Sequence, residues 1–226
     1  MTSAPSKNSE FVFKDNPDGS IDFVGDFEGL YKAIDDPWSQ QFPDERMRSY
    51  YAVSRDRLIE SLSREAPVSS LVEVGCGLGQ VCSLISNNVS VDRVIGLDIS
   101  DTAVIRARAS FPKIEFHVTD IRSDWPEEAG TGHDVIILNQ ILWYILPELP
   151  DVIRRLASKL KAGGCLYIQQ AFLRDEQKFG REFVDGFGGL VSLCRNGSFA
   201  ALELEYAVLN CDRKMAHDDG LLILRR

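Results

Sequence analysis

Short apolar runs alternate with helical spacing through the middle of the chain. The runs are nearly continuous in Val, Ile and Leu, which is typical of strands that are buried on both faces. We predict five of these strands, at residues 70–74, 93–98, 114–120, 134–139 and 165–170. Helical patterns separate most of them, over residues 79–86, 102–110 and 149–160. The alternation predicts an α/β domain in which helices cover both faces of a mostly parallel sheet.

The N-terminal part of the chain has a different pattern. Residues 1–10 are predicted to be a loose polar tail, and the sequence NPDG at 16–19 lies between two apolar runs, which predicts a small hairpin. A loop with two prolines follows, up to residue 43. We predict a long helix from an N-cap at Asp44 to Pro67, because apolar residues recur there at spacings of three and four.

The C-terminal part is predicted to hold one helical segment and two strands. Residues 174–194 are predicted to be mostly helical, and strand-like runs at 201–209 and 220–226 end the chain. At 226 residues, the chain has the length of one well-buried domain. We therefore predict a single domain over the whole chain, with a tail, hairpin and loop at 1–43 and an α/β core at 44–226.

Composition and charge narrow the possible functions. The formal net charge is −9, and an acidic surface repels phosphate backbones, so we expect no nucleic-acid partner. The basic segment 153–161 has the spacing of an ordinary amphipathic helix. The polar start is not a signal peptide and no apolar run approaches the roughly 20 residues that span a bilayer, so we expect a cytoplasmic protein without membrane contact. The five cysteines are scattered and never form a Cys-x-x-Cys pair, which predicts neither disulfides nor a metal site.

The segment LVEVGCGLGQ, residues 71–80, joins the first predicted strand of the core to the helix that follows. In an open parallel sheet such a turn lies where ligands bind, and Gly75, Gly77 and Gly79 allow a close approach of the backbone. A triphosphate-binding loop needs a lysine after its last glycine, and this chain has none there. A dinucleotide fingerprint needs a third glycine where Gln80 stands. These differences favour a ligand without phosphate.

Three acidic residues stand at the ends of successive strands. The carboxylate of Glu73 favours a cationic or hydrogen-bond-donating ligand over a pyrophosphate. Asp98 closes the second strand of the core, where a carboxylate can accept both hydroxyls of a ribose, a device that NAD enzymes also use. Asp120 closes the third, where it can reach an adenine amino group while Ile121 packs on the ring. S-adenosylmethionine carries an ammonium and a sulfonium but no phosphate, and it fits this set.

Five segments resemble, in order, the motifs of class I S-adenosylmethionine-dependent methyltransferases: LVEVGCGLGQ, VIGLDIS, FHVTDI, DVIILNQILWYI and LKAGGCLYI. The resemblance implies a Rossmann-like sheet of seven strands, with six parallel and an antiparallel last strand, and S-adenosyl-L-methionine as the cofactor. It also implies cofactor contacts from the motif positions, which are Glu73, Gly75, Cys76, Gly77, Gly79, Asp98, Ile99, Asp120, Ile121, Asn139 and Gln140.

The loop after the fourth core strand bears on the methyl acceptor. Residues 139–142, NQIL, depart from the Pro-Pro-aromatic motif of enzymes that methylate base amines, and no Pro-Cys nucleophile for pyrimidine carbons is present. A small-molecule acceptor is therefore favoured. Trp143 and Tyr144 resemble the loop of small-molecule methyltransferases and are candidates for the acceptor wall, with Tyr144 also a catalytic candidate. Alternatively, both rings simply cover the end of the sheet.

The segments DDPW and YYAVSRDRL resemble a subgroup that includes the nodulation-factor N-methyltransferases, which act on an amino sugar. This resemblance implies that Tyr50 and Tyr51 line the pocket and that Arg55 pairs with the methionine carboxylate. A solvated arginine beside two core tyrosines fits the sequence equally well. His217 lies between the last two strands, on the ligand side, and is a candidate general base. The other two histidines lie in or beside predicted strands and are interpreted as structural.

The leading hypothesis is an S-adenosylmethionine-dependent N- or O-methyltransferase. Its acceptor is predicted to be an amine or hydroxyl of a small molecule, such as a sugar or a specialised metabolite. The alternative is a protein of the same fold that binds the cofactor without reacting it, since no base stands out. A nucleotide-dependent oxidoreductase is the third hypothesis, and Gln80 argues against it. No sequence feature specifies an oligomeric state.

Overall fold

The computed structural model describes residues 9–41, 44–174, 177, 179–196, 199, 201–215 and 217–226. The strands in these residues are β1 Phe13–Asp15, β2 Ile21–Phe23, β3 Val68–Val74, β4 Val91–Asp98, β5 Glu115–Val118, β6 His133–Asn139, β7 Leu160–Phe172, β8 Glu203–Asn210 and β9 Asp218–Arg225. The α-helices are α1 Ser9–Val12, α2 Phe27–Ala33, α3 Glu45–Glu65, α4 Gln80–Asn88, α5 Asp101–Ser110, α6 Leu149–Lys159 and α7 Gly186–Arg195. Short 3₁₀ turns lie at Glu127–Ala129 and Leu142–Tyr144.

Seven strands form one sheet in the order β5-β4-β3-β6-β7-β9-β8. Neighbours from β5 to β7 run parallel, whereas β9 runs antiparallel to both β7 and β8. The strand order reverses between β3 and β6, and in an open α/β sheet ligands bind beyond the carboxyl ends at such a point. The Rossmann-like fold is confirmed, including the five predicted core strands and the antiparallel last strand.

Apolar side chains fill both faces of the sheet. On one face α6 buries a stripe that includes Val152, Ile153 and Leu156, each at most 1% exposed, and their spacing puts them on one side of the helix. On the other face Leu62 of α3 and Ile85 of α4 belong to a second buried cluster. The two clusters hold the sheet between helices, as the buried strand pattern predicts.

Helix α3 begins at its predicted cap. The carboxylate of Asp44 accepts a hydrogen bond from the amide of Met47 at 2.8 Å, which satisfies a free N–H of the first turn. The helix ends at Glu65, close before Pro67, as expected from the missing N–H of proline. With 21 residues it is the longest described helix, and no helix among the described residues is both long and apolar enough to cross a membrane.

The prediction of a mostly helical segment at 174–194 is wrong, because α7 covers only its C-terminal end. Gly180 and Gly186 adopt left-handed φ angles of 73° and 63°, which interrupt helical geometry. The side-chain amide of Gln177 donates to two backbone carbonyls of the segment and accepts from the amide of Gly186. These bonds replace helical backbone pairing with a compact turn.

The predicted hairpin is present as β1 and β2, whereas the sequence patterns do not predict α2 or the short α1, which begins inside the predicted tail. We call residues 11–41 the N-terminal cover. Glu28 of α2 fixes the cover to the first turn of α5. Its carboxylate accepts hydrogen bonds from the Ser100 hydroxyl at 2.6 Å, the Thr102 amide at 3.1 Å and the Thr102 hydroxyl at 2.8 Å. These three donors hold the pKa of Glu28 down at about 2, with Ser100 as the main cause.

We predict that Glu28→Ala loosens the N-terminal cover. Amide hydrogen exchange of residues 27–33 should accelerate by about tenfold, because a charged acceptor of several hydrogen bonds is lost. Lys32→Ala is the matched control, since it removes only the exposed ion pair of Lys32 with Glu28. Hydrogen–deuterium exchange mass spectrometry measures both variants. Equal exchange of α2 in the two variants would contradict this role for Glu28.

Candidate active site

A cavity of about 920 Å³ lies between the carboxyl ends of the central strands and the N-terminal cover. Its wall includes residues at the ends of β3, β4, β6 and β7. This volume is near the upper end of the roughly 300–1,000 Å³ that is usual for small-molecule sites. The cavity therefore has room for a cofactor together with a second small molecule.

The glycine turn after β3 forms one side of the cavity. Gly75 and Gly77 line the cavity and have φ angles of 75° and 53°. A Cβ on Gly75 would lie 2.2 Å from Cγ2 of Ile141, and a Cβ on Gly77 would lie 2.6 Å from the hydroxyl of Tyr31. Gly79 does not line the cavity; a Cβ there would lie 2.8 Å from the buried ring of Phe116 on β5. Side chains are therefore excluded here both by backbone conformation and by space.

Asp98 joins the end of β4 to this turn. One carboxylate oxygen accepts from the amide of Gly77 at 2.8 Å and the other from the amide of Ser100 at 2.9 Å. Burial raises the pKa of Asp98 above its ordinary value, and the backbone donors act in the opposite direction. Each oxygen of an ionised carboxylate can accept a further hydrogen bond. The two backbone amides thus fix the Asp98 carboxylate on the cavity wall, where it can accept hydrogen bonds from the paired hydroxyls of a ribose.

The end of β5 brings a third group of residues to the same side. Asp120 lines the cavity, but its carboxylate forms an ion pair with Arg122 at 2.8 Å, which lowers the pKa of Asp120. Ile121 is buried and presents its side chain to the cavity. The Thr119 hydroxyl is also buried in this wall and has no hydrogen-bond partner among the described residues.

Glu73 lies one layer behind the cavity wall. Its carboxylate is buried and accepts from the side-chain amide of Asn139 at 3.0 Å and from the thiol of Cys82 at 2.9 Å. Burial raises the pKa of Glu73 to about 7, against the effect of these two donors and of the positive charge of Arg55. Asn139 itself lines the cavity. Glu73 therefore orients Asn139, and any direct contact of its carboxylate with a ligand stays a prediction.

Most of the sequence-predicted residues converge on the cavity. Those that line it are Gly75, Gly77, Asp98, Ile99, Asp120, Ile121, Asn139, Gln140, Tyr50, Tyr51, Trp143, Tyr144 and His217. Those that do not line it are Glu73, Cys76, Gly79 and Arg55. The thiol of Cys76 is buried, and the Arg55 guanidinium lies over the Tyr51 ring, 4.8 Å from its centre, and donates to Gln40.

A buried polar network holds the loop after β6. Gln140 has a left-handed φ of 61°, which costs a residue with a side chain about 1 kcal/mol. Its side chain donates to the hydroxyl of Tyr50 at 2.6 Å and accepts from the amide of Ala171 at 2.7 Å. The Tyr50 hydroxyl also contacts Asp219 at 3.3 Å, and Asp219 forms an ion pair with Arg57 at 3.0 Å. This network fixes the strained loop against α3. No sequence motif identifies Arg57 or Asp219 as part of it.

The rings after β6 meet the N-terminal cover. Tyr144 is surrounded by the rings of Phe13, Phe23, Phe27 and Trp38, with centroid distances between 4.9 and 6.2 Å. Burial raises the pKa of the Tyr144 phenol above its ordinary value, so the group is a hydrogen-bond donor and not a base at neutral pH. The aromatic residues of the cover are a part of the site that sequence motifs do not identify.

Of the three histidines, one lines the cavity and two do not. His217 lines the cavity, and its ring lies edge-on to Tyr50 at 5.7 Å between centroids. His133 lies within 2.8 Å of the Ser70 hydroxyl, and neither His133 nor His117 lines the cavity. In the described part of the chain, no group of three or more His, Cys, Asp or Glu side chains could hold a metal ion.

Residues 71–164 match the methyltransferase domain family. This match spans the glycine turn and the strand ends that form the cavity. In these residues the chain is similar to a methyltransferase domain.

Curated relatives match the methyltransferase domain over part of their length. A trans-aconitate 2-methyltransferase from Variovorax paradoxus is 30% identical over 129 residues, which are 56% of this chain and 49% of that relative. A trans-aconitate 2-methyltransferase from Azoarcus is 31% identical over 63% of this chain and 52% of the relative. The chain thus spans about half the length of these relatives.

Solved structures share the methyltransferase fold at low sequence identity. The N-methyltransferase NodS from Bradyrhizobium japonicum, in complex with S-adenosyl-L-homocysteine, aligns with a TM-score of 0.65 and 20% identity over 88% of this chain and 97% of that chain. A magnesium protoporphyrin IX methyltransferase from Synechocystis with bound S-adenosylmethionine aligns with a TM-score of 0.61 and 17% identity, over 88% and 94%. At these identities the likeness concerns the fold.

We predict that Glu73 makes the methyltransferase domain less stable as the pH rises. Its folded pKa of about 7 lies above the ordinary 4.5, so the folded state keeps a proton that the unfolded chain releases between these values. Stability is therefore lost as the pH rises from 4.5 through 7. The free energy of unfolding of Glu73→Gln minus that of the wild type should therefore rise by about 3 kcal/mol between pH 4 and pH 8.

Urea unfolding at a series of pH values measures this difference, with Glu60→Gln on the exposed face of α3 as the control. If the difference in unfolding free energy between Glu73→Gln and the wild type does not change with pH, the pKa of Glu73 is not raised in the folded protein.

Proposed function

We propose that this protein transfers the methyl group of S-adenosylmethionine to an amine or hydroxyl of a small molecule. The observation that carries the proposal is the continuity of one cavity. It runs from the glycine turn and Asp98, which suit the cofactor, to the aromatic residues of the loop after β6, which suit a second molecule. A binding site for the cofactor alone would not need the second part.

The residues at the cofactor end fit a nucleoside with an amino-acid tail. Asp98 accepts the ribose hydroxyls, while Ile121 lies at the adenine end. Gly75 and Gly77 let the backbone approach without a side chain. Asn139, held by Glu73, faces the methionine part. S-adenosylmethionine, when bound, supplies an activated methyl group next to this loop.

The protein contributes mainly position and the exclusion of water. Holding an acceptor in line with the methyl–sulfur bond can supply about 7 to 11 kcal/mol of barrier reduction. The N-terminal cover places aromatic rings over part of the cavity, which reduces the access of competing water. A neutral amine carries its own lone pair and needs no base, whereas a hydroxyl loses a proton, for which the His217 imidazole is the candidate acceptor.

The relatives support methyl transfer but differ in the atom that receives the methyl group. The curated relatives are named for trans-aconitate, and the aligned NodS structure is named an N-methyltransferase. A sugar or a specialised metabolite is the acceptor that the sequence predicts. The [4+2]-cyclase SpnF aligns with a TM-score of 0.58 and 16% identity, so the fold also serves proteins with a different named activity. Binding of the cofactor without methyl transfer is therefore the second candidate.

We predict that Asp98→Asn weakens the binding of S-adenosylhomocysteine by about tenfold or more, because a charged acceptor of hydrogen bonds is lost. Isothermal titration calorimetry measures the affinity, and Asp124→Asn on the exposed turn after β5 is the matched control. Binding of NADH in place of S-adenosylhomocysteine by the unmodified chain would overturn the proposal. Equal affinity of the two variants would remove Asp98 from the site.

Methyl transfer itself is tested with S-adenosylmethionine that carries a labelled methyl group. We expect repeated turnover with at least one small-molecule amine or hydroxyl, and a loss of that turnover in Asp98→Asn. Cofactor binding without transfer to any acceptor in a broad panel would favour the second candidate.

A further inference from the structure

We propose that the acceptor of this site is a neutral molecule built around an aromatic ring, which carries the hydroxyl or amine that receives the methyl group. This inference rests on the proposed function, since it concerns the acceptor part of the same cavity. It departs from the amino sugar implied by the N-terminal sequence resemblance. It also departs from the trans-aconitate for which the curated relatives are named.

Aromatic residues dominate the part of the wall that faces away from the cofactor residues. The ends of β3, β4 and β5 supply the cofactor side, whereas the N-terminal cover and the segments after β6 and β7 supply the other side. The rings on this second side are Phe13, Phe27, Trp143, Tyr144, Phe172 and Phe179. A ligand that fits among them gains affinity from apolar area removed from water.

Several of these rings pack edge-on against one another. Edge-on pairs form between Phe13 and Phe179 at 5.1 Å, between Phe27 and Tyr144 at 4.9 Å, and between Trp143 and Phe172 at 5.5 Å. In an edge-on pair one ring leaves part of its face uncovered by its partner. A planar aromatic guest can form the same stacked or edge-on contacts with these rings.

The charges of the wall disfavour an anionic acceptor. Arg122 pairs with Asp120 at 2.8 Å, and Arg181 pairs with Asp185 at 3.3 Å. Both arginines that line the cavity in the described residues are therefore matched by a carboxylate of the same wall. A carboxylate-rich molecule such as trans-aconitate would lose its hydration without gaining an uncompensated positive charge.

A polar anchor remains among the rings. The Tyr144 hydroxyl makes no hydrogen bond with any described residue, and burial raises the pKa of this phenol, so it stays protonated. Its oxygen can therefore accept a hydrogen bond from the O–H or N–H of the group that receives the methyl group, which leaves a lone pair of that group free. A lone pair of that atom forms the new bond to the methyl carbon while the methyl–sulfur bond breaks and leaves its electron pair on sulfur. The released proton passes to water or to His217.

The test is a calorimetric titration of the full chain saturated with S-adenosylhomocysteine. The probes are naphthol and aminonaphthalene, compared with glucosamine and trans-aconitate. We expect both naphthalene probes to bind at least about tenfold more tightly than the two polar probes. Tighter or equal binding of glucosamine or trans-aconitate, or no binding of either naphthalene probe, would overturn the inference.

Two variants identify the site of binding. Phe179→Ala should weaken naphthol binding by about tenfold and leave the affinity for S-adenosylhomocysteine unchanged, which also shows that the variant is folded. Tyr206→Ala is the control, because this exposed ring on β8 lies outside the cavity. Unchanged naphthol binding in Phe179→Ala would contradict the inference. If the unmodified chain fails to bind S-adenosylhomocysteine, the proposed function itself fails; if it binds that molecule but not naphthol, only the acceptor class is wrong.

Discussion

The hydrogen bond from the Gly77 amide to the Asp98 carboxylate, at 2.8 Å, is the interaction on which the site depends. It ties the turn after β3 to the end of β4, and the left-handed glycines make the turn possible. Burial of a carboxylate is unfavourable unless donors surround it, and here the turn itself provides them. The parallel strands bring both segments to one edge, so the binding surface follows directly from the sheet order.

The N-terminal cover forms part of the cavity wall over that edge. Glu28 fixes the cover to α5 on the cofactor side, and the ring of Tyr144 meets it on the other side. The buried network from Arg57 through Asp219 and Tyr50 to Gln140 holds the loop between the two halves. The cavity thus combines rigid polar supports behind its wall with apolar rings on its surface, a combination suited to positioning two molecules while excluding water.

Local sequence patterns predict the parts of this structure that depend on neighbouring residues. Continuous apolar runs mark the buried strands, and the glycine spacing marks the turn that holds Asp98. The patterns miss what depends on distant residues. Tyr50 and Asp219 are 169 positions apart, and no motif relates them. The sequence around Gly180 predicts a helix because it contains no recognisable turn motif. The turn there is instead held by hydrogen bonds from the side chain of Gln177.

The sequence also does not separate residues that touch a ligand from residues that support them. Glu73 belongs to a cofactor motif, yet its carboxylate is buried behind Asn139. Thr119 is not among the predicted contacts, yet it lines the cavity. Both assignments depend on which side of a strand end a side chain faces, and that is set by the packing of the whole sheet.

A crystal structure of the protein with S-adenosylhomocysteine tests the central claim most directly. The account predicts that the ribose hydroxyls lie within hydrogen-bond distance of Asp98, and that the sulfur faces the rings of Tyr144 and Trp143 across an open space. A ligand bound elsewhere, or one whose sulfur points away from these rings, would contradict a methyl-transfer site in this cavity.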